Sequence, residues 1–173
     1  EWIDFFSDAG YICHAIELPA HNADKNDHDV KNMSLQDYVL SVRASISKAN
    51  RPVLIGHSLG GLIVQQVAQY ESLSGLVLIN SAVPGQIFPI RFSILPGIVR
   101  NFSQWKLWQK SMRLRQWEAN YLVFNRTGKK DRVAAYQQMV AESGKVIYEV
   151  GFGPMNLKRT SFVNPSKVDC PIL

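Results

Sequence analysis

No histidine follows residue 57. His14, His21, His28 and His57 are the only four in 173 residues, so the last two thirds of the chain can supply no imidazole. Cysteine is almost missing too. Cys13 and Cys170 both sit in apolar, strand-like runs, and a domain of this size needs no disulfide staple, so buried free thiols are expected. No stretch approaches the roughly 18 uninterrupted apolar residues of a membrane span. The acidic, amphipathic start Glu1-Trp2-Ile3-Asp4 is unlike a signal peptide, and the expected compartment is the cytoplasm. An initiator methionine is also lacking, which leads us to expect an internal piece of a longer protein.

What is present is enough for one globular domain with a core: 46% of residues are hydrophobic and 19% charged. The net charge of +5 hides an asymmetry. Residues 1–82 carry 5 Lys/Arg against 9 Asp/Glu, and residues 83–173 carry 14 against 5. The basic half admits weak contact with anionic lipid surfaces or acidic substrates, although a solvated face is the commoner meaning of such charge. The basic residues are scattered and no nucleic-acid-binding motif accompanies them, so no nucleic acid partner is expected.

The chain is organised around residues 51–70. The β formers Val53-Leu54-Ile55 run into Gly56-His57-Ser58-Leu59-Gly60, and the apolar stretch Leu62 to Tyr70 follows at once. Strand, tight turn with serine at the apex, then helix is the nucleophile elbow Gly-x-Ser-x-Gly. A serine there takes a strained backbone that only its surroundings can hold. Gly56 and Gly60, lacking a Cβ, let strand and helix approach closely. The Leu59 N–H is then placed to stabilise an oxyanion as Ser58 Oγ attacks a carbonyl.

With Pro52-Val53-Leu54-Ile55-Gly56-His57-Ser58-Leu59-Gly60-Gly61-Leu62, the chain resembles the lipases and esterases of the α/β-hydrolase family. Phe5-Phe6-Ser7-Asp8-Ala9-Gly10-Tyr11 is similar to the end of that family's first helix. The resemblance implies a three-layer α/β fold, a parallel sheet core and a helical cap. We divide the chain accordingly: core with the elbow over 1–85, helical cap over 86–162, and a return to the core over 163–173. In this family the triad runs Ser, then Asp or Glu, then His. None of the four histidines follows Ser58, and His57 is turned away from its neighbour by the elbow. Asp169 precedes the strand that Pro171-Ile172-Leu173 begins, whereas the family's acid lies in a loop after a strand. The family's other oxyanion donor comes from a loop upstream of Glu1. Residues 1–173 alone are therefore expected to lack efficient esterase activity.

Around the elbow, Trp2 to Asp8 reads as a helix stopped by Gly10, and Tyr11 to Leu18 as a strand carrying a packed or edge His14. Pro19-Ala20-His21-Asn22 stands where the family usually has Arg-Gly-His-Gly. A metal site from His21, Asp24, Asp27, His28 and Asp29 is conceivable, but the spacing matches no zinc or calcium loop, and we expect neither metal nor cofactor. Ser34 opens a helix with Asp37 as a capping-box partner, and Leu35, Tyr38, Val39, Val42 and Ile46 form its apolar face. Leu73 to Ala82 is a further strand, and strands apolar on both faces indicate a sheet covered on both sides. Asn80 to Gly85 then leave its carboxyl end, where open α/β sheets bind ligands.

Residues 86–162 read as helices over 96–112, 116–124, 132–142 and 144–152. The aromatics Phe88, Phe92, Phe102, Trp105, Trp108 and Trp117 line a substrate pocket or pack the helices. Glu142-Ser143 resembles the cap of many family members, and its role is left open. The function that the resemblance implies is hydrolysis of carboxylic esters, lipase- or lysophospholipase-like, through an acyl-enzyme on Ser58 with a small ester or acyl substrate. Peptidase and cofactor-free haloperoxidase chemistry share the elbow, and a non-catalytic binding member of the fold stays open. The oligomeric state is not legible.

Overall fold

The computed structural model describes residues 2–21, 27–87 and 95–173. Helix α1, Trp2–Asp8, ends in a Schellman turn: Gly10 takes φ 89°, its N–H reaches the Ser7 carbonyl, and the Tyr11 N–H reaches that of Phe6. A single turn, α2 (Asp27–Val30), precedes α3, Leu35–Ile46. The capping box forms as the sequence indicates. Ser34 Oγ accepts from the Asp37 N–H, and Asp37 Oδ2 accepts from the Ser34 N–H at 2.7 Å. All five residues of the expected apolar face are buried.

Strand β1, Val53–His57, leads through Ser58 into α4, Leu59–Val67, and β2, Gly75–Ile79, pairs with β1 in parallel, His57 opposite Ile79. On the far side of β2, Pro171–Leu173 runs parallel to it: Leu76 N–H donates to the Pro171 carbonyl and Leu78 N–H to that of Leu173. Helices α3 and α4 pack on one face of this sheet. Leu35, Tyr38, Val39, Leu54, Leu62, Ile63, Val67 and Leu76 form the core between them, each burial worth about 2 kcal/mol.

The two strands are covered to different extents: β1 alternates, with Leu54 and Gly56 buried and Val53, Ile55 and His57 exposed, whereas no residue of β2 is exposed and Val77 and Ile79 are half-buried. One expectation fails here. Tyr11 to Leu18 forms no strand, because no described strand lies beside it to complete a ladder; Ile16 and Leu18 rest on the core while Tyr11 and Ile12 face outward. The thiols of Cys13 and Cys170 are free, and half-buried rather than buried.

After β2 come α5 (Leu95–Phe102), a 3₁₀ turn at Leu107–Gln109, β3 (Ser111–Met112), α6 (Gln116–Leu122), α7 (Lys129–Gln137), β4 (Glu142–Ser143) and α8 (Gly144–Gly151). The expected helix over 96–112 is cut short. Lys106 enters the left-handed region at φ 54°, and Leu107 is buried beneath α8, where Gly144 packs so closely on the Leu107 and Lys110 carbonyls that no Cβ would fit. The helix expected over 132–142 ends at Gln137, because Glu142 and Ser143 pair antiparallel with Met112 and Ser111. Arg100 clamps α5 to α6 with two 2.6 Å bonds, Nε to Glu118 Oε1 and Nη2 to Oε2. That buried carboxylate is held below its usual range, first by the Arg100 hydrogen bonds. No described helix is long and apolar enough to cross a membrane.

Candidate active site

Ser58 sits at the junction of β1 and α4 with φ 51° and ψ −119°, a conformation that a side chain with a Cβ rarely takes. Three hydrogen bonds hold it there. Its N–H donates to the Ile79 carbonyl at 3.1 Å, and its carbonyl accepts from the Gly61 N–H at 3.0 Å and the Ala82 N–H at 2.8 Å. The strain at one residue is thus borne by the end of β2, the loop after it and the helix start. The side chain stands exposed, and its hydroxyl makes no hydrogen bond among the described residues. Leu59 is the first helical residue, so its N–H has no intrahelical acceptor.

The glycines divide differently from the expectation. A Cβ on Gly56 would collide with the Gly60 carbonyl group and the Gly61 Cα, so the strand can meet the turn only as glycine. Gly60 meets open space, and the second crowded position is Gly61, where a Cβ would strike the Ser81 side chain. Close approach therefore rests on Gly56 and Gly61, not on Gly56 and Gly60.

Ser58 opens onto a cavity of about 300 Å³. Leu59 and Ala82 line it from the elbow side, Phe102 from α5, and Val146, Ile147 and Val150 from α8. Of the aromatics considered that the structure describes, Phe102 lines it. Trp105 and Trp117 are exposed, Trp108 packs edge-on to Tyr148 at 5.6 Å, and Phe88 and Phe92 lie outside the described residues. His57 shares the exposed face of β1 with Val53 and Ile55, and His14 is exposed; neither lines the cavity. Of the acids and histidines weighed as metal ligands, Asp24 and the side chains of Asp27 and His28 lie outside what the structure describes. Among the described residues no group of three or more acidic, histidine or cysteine side chains could hold a metal.

Among the described residues, one polar side chain besides Ser58 lines the cavity: Glu142. Its Oε1 accepts from the Tyr38 hydroxyl at 2.7 Å and from the Ser143 N–H at 2.7 Å, and its Oε2 lies 3.3 Å from His21 Nε2. His21 is delivered by a turn of type II. Pro19 and Ala20 are its central residues, the His21 N–H reaches the Leu18 carbonyl, and Ala20 is forced to φ 63°, where the resembling pattern has glycine. The other ring nitrogen, Nδ1, lies 3.0 Å from the Pro19 carbonyl oxygen. Both nitrogens thus face acceptors, and a neutral imidazole can donate only once, so the ring is satisfied as imidazolium. The Glu142 hydrogen bond is the largest cause raising the His21 pKa above its ordinary value, against burial, which lowers it. Burial first, and then the Glu142 charge, push the Tyr38 hydroxyl far above its ordinary range, so it stays a donor.

A second carboxylate, this one on α8, secures the wall. Glu149 is buried and accepts the Leu35 N–H at 2.8 Å, tying α8 to the start of α3, and burial raises its pKa. Sequence reading missed Glu142 as a wall of the Ser58 cavity. Its partners His21 and Tyr38 lie 121 and 104 positions away, and no local spacing marks them.

A strained serine between a parallel strand and a helix, beside a cavity at the strand ends, defines the class. The alpha/beta hydrolase family model matches residues 2–160, and the chain belongs to that family. Among solved structures it is similar to an extracellular alpha/beta-hydrolase from a Paenibacillus species, described as sharing structural and functional homology with tobacco salicylic acid binding protein 2. The TM-score is 0.66 at 18% identity, over 83% of this chain and 61% of that one. It is also similar to a pyrethroid hydrolase from Sphingobium faniae JZ-2 (TM-score 0.62, 18% identity, 91% of this chain and 66% of that one). A variant of PytH gives 0.58 at 16% identity, over 99% of this chain and 80% of that one. The chain thus spans less than two thirds of the length of the first two. No curated protein matches it at a significant level.

Proposed function

We propose that the protein is a serine hydrolase that cleaves carboxylic esters through an acyl-enzyme on Ser58. The observation that carries this reading is the Ser58 backbone, strained at φ 51° and ψ −119° yet clamped by three hydrogen bonds, with its hydroxyl beside the cavity and unpaired among the described residues. A protein gains nothing in stability from such strain, and it concentrates where chemistry uses it. In this reading Ser58 Oγ attacks the ester carbonyl carbon while its proton passes to an imidazole. The charge gathering on the carbonyl oxygen faces the Leu59 N–H, the alcohol leaves with the proton, and water then releases the acid.

No histidine lines the cavity among the described residues, so the reading requires its imidazole from outside them. The apolar walls, Phe102, Val146, Ile147 and Val150, favour an acyl chain or another apolar body, as in acylglycerol-like or lysophospholipid-like esters. The helices after β2 would act as its cap. The pyrethroid hydrolase among the structural neighbours supports the class of reaction by analogy of fold only. The test is turnover of a p-nitrophenyl alkanoate by the longest natural protein that contains this chain. Ser58→Ala should lower kcat at least about a thousandfold. Equal rates for the two proteins would sink the assignment.

A further inference from the structure

Glu142 is out of character with the space it lines. Apart from Ser58, every other described side chain on the cavity wall is apolar, with Leu59, Phe102, Val146 and Ile147 among them. A carboxylate in such a place is expensive unless its lone pairs are occupied. A carboxylate offers about four acceptor sites. Three are taken among the described residues: two on Oε1, by Tyr38 and the Ser143 amide, and one on Oε2, by His21. The site that no described residue fills is on Oε2, and the Glu142 side chain keeps 26% of its surface open. We propose that Glu142 is the specificity-determining residue of the Ser58 cavity, accepting a hydrogen bond from a hydroxyl carried by an otherwise apolar, uncharged ester. The inference rests on the ester-hydrolase reading above and adds to it the chemistry of the substrate.

Two features select this ligand over its neighbours. Tyr38, the Ser143 amide and His21 approach Glu142 from three different segments, so its carboxylate is fixed in place before any ligand arrives, and little ordering remains to be done on binding. His21, with both ring nitrogens facing acceptors, balances the carboxylate charge as an imidazolium. A neutral donor therefore completes the site, whereas an ammonium would bring a net positive charge into apolar walls and a carboxylate would meet Glu142 directly. A site built to hydrogen-bond a hydroxyl also rejects the analogue that lacks it, because its own polar atom is then left unpaired.

The test compares a chain-length series of p-nitrophenyl alkanoates with their ω-hydroxy and ω-amino counterparts, using the longest natural protein that contains this chain. At one chain length the hydroxy ester should exceed its parent in kcat/KM by about tenfold or more. In Glu142→Gln, which keeps the shape and the acceptor for Tyr38, that ratio should fall toward one. The wild-type comparison needs no variant, so the proposal can fail even if Glu142→Gln misfolds. Turnover that depends on Ser58 but shows no hydroxy preference at any length overturns the proposal and leaves the hydrolase reading standing. A larger advantage for the amino ester overturns the neutral-donor claim, and a hydroxy preference unchanged in a folded Glu142→Gln shows that another residue makes it. No turnover of any ester overturns both.

Discussion

The two sides of the cavity are built on different principles. On one side, the elbow is held by backbone: three main-chain hydrogen bonds to Ser58, and a contact of Gly56 with the Gly60 carbonyl group that leaves no room for a Cβ. On the other, the wall at Glu142 is held by side chains, with Tyr38, His21 and the α8 carboxylate Glu149 joining segments more than a hundred residues apart. Backbone devices tolerate almost no substitution, because the atoms they would displace belong to the chain itself. Side-chain devices lose one bond at a time, and they respond to pH.

The sharpest way to break this contrast is at the glycines. Gly56→Ala should destabilise the protein by about 3 kcal/mol or more in urea unfolding, since the Gly60 carbonyl it meets cannot move without unmaking the turn. Gly60→Ala, facing open space at the start of a helix, should change stability by about 1 kcal/mol at most, in the stabilising direction. Similar losses at both would show that the crowding at Gly56 is not what holds the elbow. Next in size is Glu149→Ala on the wall, which strands the buried Leu35 N–H and should remove about 1–3 kcal/mol, also read from urea midpoints.

The stability of the wall should depend on pH. His21 has its pKa raised in the folded state, so the stability it contributes is fully present below its ordinary 6.5 and is lost as pH rises through the raised value. Unfolding free energy measured from pH 5.5 upward should fall across that window in the wild type, relative to His21→Gln. Parallel curves would disconnect His21 from Glu142. The smallest effect belongs to the turn that delivers His21: Ala20→Gly relieves a left-handed alanine and should stabilise by about 1 kcal/mol, seen as a small rise in Tm.

The same contrast separates what is legible in the sequence from what is not. The elbow, the Schellman end at Gly10 and the capping box of Ser34 and Asp37 are local: each is written within a few residues, and each forms. The apolar face of α3 is legible for the same reason. Where neighbours distant in sequence decide, local pattern misleads. Tyr11 to Leu18 has strand composition, but a strand needs a partner. Residues 96–112 have a helical pattern, yet burial of Leu107 under α8 and the left-handed Lys106 end the helix at Phe102. Gly60 carries the motif, while Gly61 carries the contact. Glu142 carries no local signal beyond its likeness to the family's cap, because its place beside Ser58 is set by the pairing of β3 with β4 and by Tyr38 on α3.

The central claim is that the clamped bend activates the hydroxyl at position 58. Intact-mass and peptide-mapping spectrometry after incubating the longest natural protein containing this chain with a fluorophosphonate tests it most directly. The account predicts a single phosphonyl adduct on Ser58 that is absent from Ser58→Ala. An unmodified protein, or an adduct on any other residue, would contradict it.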